Sequence, residues 1–275
     1  MSWKPLGSVL PESLEAARLD LHWATQLVSA AGTSLLEPTA DFSHTNLAWD
    51  KSLGVLAGRP VGGSALRSAL VFEGLELAVL DGDRERASLA LAGRTVGEAL
   101  EWLSGAIDAD VPLLLPTHDM PDHPVKSGAV FTDAHVDGRR ELAAWFADAT
   151  ALVHAVVDGD PLASPVRSWP HHFDVASLMT FDPDEDPEEA RSIGVGFSPG
   201  DEKYNAPYLY VTLWPYPHED DLPDLEDMVC WNTEAWTGAV LMADVILSMP
   251  HDEQQERSLR ALRSAVQMSR GLLGV

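Results

Sequence analysis

Two runs in this chain alternate with a strict period of two, and they constrain its fold more than any other feature. In Tyr208–Tyr216 the residues Leu209, Val211 and Leu213 form one apolar face, so Tyr208, Tyr210, Thr212 and Trp214 point the other way. In Ile193–Ser198 the apolar set is Ile193, Val195 and Phe197, which leaves Gly194, Gly196 and Ser198 opposite. Both runs must be strands with one face in a core, and the second faces bring aromatic side chains over glycines. A glycine inside a strand loses packing and backbone entropy, and it often marks where a ligand or another chain segment approaches closely.

The flanking segments predict helices. Pro11–Leu36 carries Leu14, Ala17, Leu21, Ala24 and Val28 at helical spacing, with Arg18, His22 and Gln26 as a separate polar stripe that on an ordinary helix would face solvent. Short runs at Thr45–Trp49, Leu53–Ala57, Leu66–Phe72, Leu75–Leu80 and Ala87–Leu91 follow, separated by turn signals that include Gly62-Gly63-Ser64 and Asp81-Gly82. They predict an antiparallel meander. Thr95 with Glu98 reads as a capping box opening a helix to about Ile107. Residues 108–138 hold prolines 112, 116, 121 and 124 and no sustained period, and are the best internal boundary. Arg139–Val157, Gly238–Met249 and Asp252–Leu273 read as further helices.

The expected fold class is therefore α+β, with antiparallel sheets packed by amphipathic helices. Two related helix-strands-helix halves are one arrangement, residues 1–110 and 139–275 about a proline-rich connector at 111–138; one continuous domain is the other. The acidic, proline-bearing stretches Asp182–Glu189 and Glu219–Asp227 read as solvated loops.

Candidate chemistry concentrates at Ser164–Pro217. If Phe173 and Val175 face the core, parity puts His172 and Asp174 side by side on the Tyr208/Tyr210/Trp214 face. An aspartate beside a histidine can set its tautomer and raise its pKa, which suits acid-base work, and His171, His172 and Asp174 are all residue types that ligate divalent metals. Glu234 is a candidate third polar group. The same residues could equally form a buried structural hydrogen-bond pair beside aromatic packing. His118, Asp119, Asp122 and His123 lie close in sequence but match no standard metal spacing.

Composition narrows the function classes. With 45% hydrophobic residues the chain can bury a core, and 43 acidic against 18 basic residues give a net charge of -25, which disfavours nucleic acid and anionic membrane surfaces as partners. A cytoplasmic location is expected, because Met1–Glu15 lacks a cationic start followed by an apolar run. Cys230 is the single cysteine and reads as a buried, inert thiol. There is no phosphate-binding P-loop, dinucleotide-binding glycine pattern, His-Glu-x-x-His or nucleophile-elbow serine.

Several segments resemble a bacterial domain family of unassigned activity. Leu21, His22, Thr25 and Gln26 match its Leu-His-x-x-Thr-Gln helix, and His44 matches a following histidine segment. Ser164-Pro165-Val166 and His172–Ala176 resemble its Ser-Pro-Val and Ser-Phe-Asp-Leu-Ala elements, and Gly196–Gly200 with Tyr208–Pro217 resembles a Gly-Phe-Trp-Pro-Gly element before a tyrosine-rich strand. Ser198 stands where that family has tryptophan. The resemblance implies an architecture rather than a reaction, and it adds His22, Gln26, His44 and Asp174 to the residues expected at a site. Three functions are then expected to compete. The first is binding of a small uncharged or cationic molecule, with Tyr208, Tyr210 and Trp214 as platforms and His172 and Asp174 as anchors. The second is metal-assisted or acid-base hydrolysis through His171 or His172, Asp174 and Glu234, with the cofactor unspecified and a divalent metal the natural candidate. The third is a protein interaction module.

Overall fold

The computed structural model describes residues 3–62, 65–186, 189–225 and 228–275. Gly63, Ser64, Pro187, Glu188, Glu226 and Asp227, which fall within the turn and acidic loops expected above, lie outside the described residues. The fold is α+β. A turn of 3-10 helix at Pro11–Ser13 leads into α1 (Glu15–Leu35), followed by a five-stranded antiparallel meander of β1 (Ala48–Asp50), β2 (Val55–Ala57), β3 (Leu66–Val71), β4 (Glu76–Asp81) and β5 (Arg84–Ala90). Then come α2 (Val96–Ala106) and α3 (Val136–Val157). The second sheet is formed by β6 (Arg167–Trp169), β7 (Asp174–Thr180), β8 (Ser192–Ser198), β9 (Tyr208–Trp214), β10 (Cys230–Asn232) and β11 (Gly238–Met242), in the spatial order 10-11-9-8-7-6. The chain closes with α4 (Ala243–Ser248) and α5 (His251–Leu273).

Local rules account for most of these elements. The Thr95 hydroxyl accepts from the Glu98 amide while the Glu98 carboxylate accepts from the Thr95 amide, the reciprocal box that starts α2. Gly82, at φ 60°, makes the tight turn between β4 and β5. One expectation fails: Gly238–Met242 is strand, paired residue by residue with Tyr208–Thr212 of β9, and only Ala243–Ser248 is helical. A short apolar run such as Gly-Ala-Val-Leu-Met has no period by which to distinguish strand from helix, and pairing with β9 decided it.

A single set of buried apolar residues runs through both halves of the chain. Phe72 of the first half packs edge-on against Phe146 at 5.0 Å, and Phe146 in turn meets Phe173 at 4.9 Å and Phe197 at 5.5 Å. The sheets also adjoin at their edges, where Leu47 and Ser168 exchange two backbone hydrogen bonds of 2.9 Å. The central element is α1, buried at every position from Leu21 to Gly32 and packed against β3, β4 and α3. On the second sheet, α3 covers β7 and β8 while α5 covers β8, β9 and β11, all on the face of Ile193, Val195, Leu209 and Val211. The opposite face carries the exposed Leu178 and Trp214.

Two buried carboxylates of α3 hold the N-terminal segment. Asp148 accepts from the Lys4 amide through both oxygens (3.1 and 3.0 Å), and Glu141 accepts from the amides of Gly7 and Ser8 (2.6 and 3.0 Å). Cys230, on the outer strand of the second sheet, is exposed rather than buried. Among the described residues no helix is long and apolar enough to cross a membrane.

Candidate functional site

The glycines of β8 are where the site begins. Gly196 lies opposite Tyr210 and Gly194 opposite Thr212, on the face to which the alternation assigns all four. A Cβ built on Gly196 would overlap Cζ and Oη of Tyr210, so the ring lies flat across the neighbouring strand. The Tyr210 hydroxyl thereby crosses β8 to β7, where it donates to Asp174 Oδ2 at 2.6 Å. The glycine thus makes room for a tyrosine rather than leaving an open trough beneath it.

Asp174 is the first residue of β7 and only 7% exposed. Its second oxygen, Oδ1, has no hydrogen-bond partner, although the Trp169 amide and its own amide lie near enough to favour the charged form slightly. Burial raises its pKa above the ordinary aspartate value, against the opposing pull of the Tyr210 hydroxyl and His172. Burial and the Asp174 carboxylate likewise push the Tyr210 phenol upward, so its proton stays in place.

A second tyrosine–carboxylate pair repeats the pattern one turn of pleat away. Tyr208 donates to Asp201 Oδ2 at 2.5 Å, and Asp201 Oδ1 is fixed by the amides of Lys203 (2.8 Å) and Tyr204 (2.7 Å) in the loop after β8. The Tyr208 phenol is raised by burial and by Asp201. Trp236 completes the wall: its indole lies over Gly238 and meets Tyr210 edge to face at 6.3 Å. Asp174, Asp201, Tyr208, Tyr210 and Trp236 line a cavity of about 310 Å³, joined by His172, Ser198 and Thr212.

Beneath this cavity lies the polar stripe of α1, which is buried and does not face solvent. Arg18, His22 and Gln26 are 7%, 6% and 1% exposed. The four residues Pro170–Phe173 form the turn between β6 and β7, and the Pro170 carbonyl accepts from His22 Nε2 (3.0 Å) and from the Gln26 amide (2.6 Å). The His22 ring stacks on Phe173 at 5.3 Å, and burial lowers its pKa to about 4, so it is neutral at pH 7. Arg18 donates to Asn205 at 3.3 Å beside Gly200, with its pKa lowered by burial.

The histidines occupy places that parity does not give. His172 belongs to the turn and not to a strand, because β7 starts at Asp174, yet it lines the cavity with Asp174. His171 packs between His172 (4.1 Å between ring centres) and His118 of the connector (5.0 Å), and burial followed by those two neighbours lowers its pKa to about 4. His123, also of the connector, turns away to Asp20 of α1 at 3.2 Å. Among the described residues no three His, Cys, Asp or Glu side chains stand together in a way that would hold a metal ion, and His171, His172 and Asp174 are no exception.

Three expected site residues lie elsewhere. Glu234 is on the β10–β11 connection, solvent-exposed and paired with Lys203 at 3.0 Å. His44 is in the connection after α1, where its Nδ1 meets Thr39 at 3.2 Å and its ring faces Phe42. Trp214 stands two residues beyond Thr212 on the exposed part of the sheet, edge-on to Tyr216 at 5.0 Å. In their place the structure brings in Asp201, Ser198 and Trp236. The Asp-x-Lys-Tyr turn after Gly200 and the Trp-Thr-Gly sequence before β11 were the available signals, but neither has a strand parity to place it.

Fold and site together define an α+β protein with an acidic, aromatic cavity on the outer face of its larger sheet. Comparison with known protein families, with curated proteins and with solved structures finds no match to this chain.

Proposed function

We propose that this chain binds a small molecule in the cavity walled by Tyr208, Tyr210 and Trp236, with Asp174 as its principal polar anchor. The observation that carries this reading is the state of Asp174: a buried carboxylate with one oxygen held by Tyr210, the other without a partner, at the wall of a cavity of small-molecule size. A buried carboxylate left half-satisfied costs stability, on the order of 1–3 kcal/mol, which a purely structural pair would avoid. A ligand donor that reaches this carboxylate recovers part of that cost on binding.

The reading is tested by titrating a metabolite set against the protein by thermal shift and calorimetry, with Asp174→Asn and Tyr210→Phe alongside. Saturable binding lost in Asp174→Asn is expected. If no compound shifts the wild-type transition, or the variants bind unchanged, the cavity is not a binding site.

A second reading, acid-base hydrolysis without a protein-held metal set, is favoured by one feature. His172 shares the cavity with a carboxyl group whose pKa burial has raised, and such a group gives up a proton closer to neutral pH than an ordinary aspartate does. Turnover of ester, amide or phosphoester substrates that disappears in Asp174→Asn would favour it; binding without turnover would retire it.

A further inference from the structure

Resting on the small-molecule reading, we infer that the cavity is built for a cationic ligand group that carries its own N–H donors, a primary ammonium, amidinium or guanidinium, and not for an anion, an alcohol or a quaternary ammonium.

The donor and acceptor inventory leads to this. Both tyrosine hydroxyl protons are already committed, Tyr210 to Asp174 and Tyr208 to Asp201, so towards a ligand each phenol oxygen can only accept. The two carboxylates are acceptors as well. Ser198 is engaged by the Gly200 amide at 3.2 Å and interacts with the Tyr208 hydroxyl. The wall is thus rich in acceptors, its remaining donors being the His172 ring and the Thr212 hydroxyl, and the buried Asp174 Oδ1 has no partner. A ligand must bring donors.

Charge points the same way. Two carboxylates line the cavity and no lysine or arginine does. Of the neighbouring cations, Lys203 is engaged with Asn232 and Glu234, while Arg18 bonds Asn205 and lies close enough to Asp201 to offset part of that charge, leaving Asp174 without a cationic partner of its own. His22 and His171, just beneath, are neutral at pH 7. An anion would enter a site of like charge, against two carboxylates in its wall. Tyr208, Tyr210 and Trp236 present ring faces and edges to the same space, the surroundings in which an organic cation is stabilised by aromatic quadrupoles. Aromatic rings alone would also accept a quaternary ammonium. Asp174 separates the two, because a trimethylated nitrogen has no hydrogen to offer its carboxylate.

Size limits the remainder of the ligand. A cavity of about 310 Å³ corresponds to the liquid volume of about ten water molecules at ~30 Å³ each, hence a compact molecule of about ten non-hydrogen atoms.

Five probes of matched size test the inference by calorimetry against the whole chain: benzylamine, benzamidine, benzyl alcohol, benzoate and benzyltrimethylammonium. Benzylamine or benzamidine is expected to bind saturably, at least about tenfold tighter than the alcohol and the trimethylammonium, the margin of one charge-assisted hydrogen bond. Benzoate is expected not to bind. In Asp174→Asn the amine should lose about tenfold or more while the alcohol is unaffected. Preference for the alcohol, benzoate or the trimethylammonium would overturn the cation assignment and leave small-molecule binding standing. Silence from all five probes would overturn both. Should Asp174→Asn fail to fold, the ranking of the five probes on the wild type still decides.

Discussion

At the scale of single residues, the site depends on an absence. Gly196 has no side chain, so Tyr210 can lie across β8 and place its hydroxyl on Asp174. Gly196→Ala is expected to push the ring off the strand, break that hydrogen bond and destabilise the fold by about 1–3 kcal/mol, as overpacking does. Gly105→Ala is the control: a Cβ there meets nothing within 4 Å in α2, and it should be neutral or slightly stabilising. Urea unfolding of the two variants checks the pair. Equal effects would mean that Tyr210 has somewhere else to go at no cost.

The N-terminal strap shows what an element adds to a residue. Asp148 sits where α3 receives the Lys4 amide, and burial raises its pKa to about 7, against the pull of that amide and the Lys4 charge. The folded pKa lies above the ordinary value of 3.8, so between about pH 4 and 7 the folded state binds more protons than the unfolded one. Stability from this group is therefore fully present at the acid end and is lost as pH rises through the window. Asp148→Asn cannot ionise, so its stability relative to the wild type should climb from about pH 4 to 7 and level off above. Urea unfolding of both proteins across that range measures the difference, and a constant gap would show that Asp148 does not titrate there. Elsewhere at this scale, α2 follows its capping box as read from Thr95 and Glu98, whereas β11 was hidden in an apolar run that pairs along its whole length with β9, 26 or more residues earlier in the chain.

The whole molecule carries a net charge of -25, and its ion pairs are mostly exposed ones that contribute little. Self-repulsion should therefore dominate its response to salt. The melting temperature is expected to rise between about 0.01 and 0.5 M sodium chloride as the screening length shortens, and a fall would show that specific ion pairs outweigh the general field. At this scale, too, the division between chain and fold is visible. Period-two alternation alone determined that Leu209, Val211 and Leu213 enter the core and that Tyr208 and Tyr210 share the other face with Gly194 and Gly196, because side-chain direction in a strand is set by the backbone. The burial of Arg18, His22 and Gln26 is different, since a polar stripe at helical spacing looks the same whether it meets water or the Pro170 carbonyl. Only the packing of α1 against the β6–β7 turn decided it. The membership of the cavity was likewise tertiary: His172 arrives from a turn, Asp201 from a loop and Trp236 from the approach to β11, while Glu234 departs to Lys203. Segments without a period carry no instruction about direction, and theirs comes from the strands and helices that hold their ends.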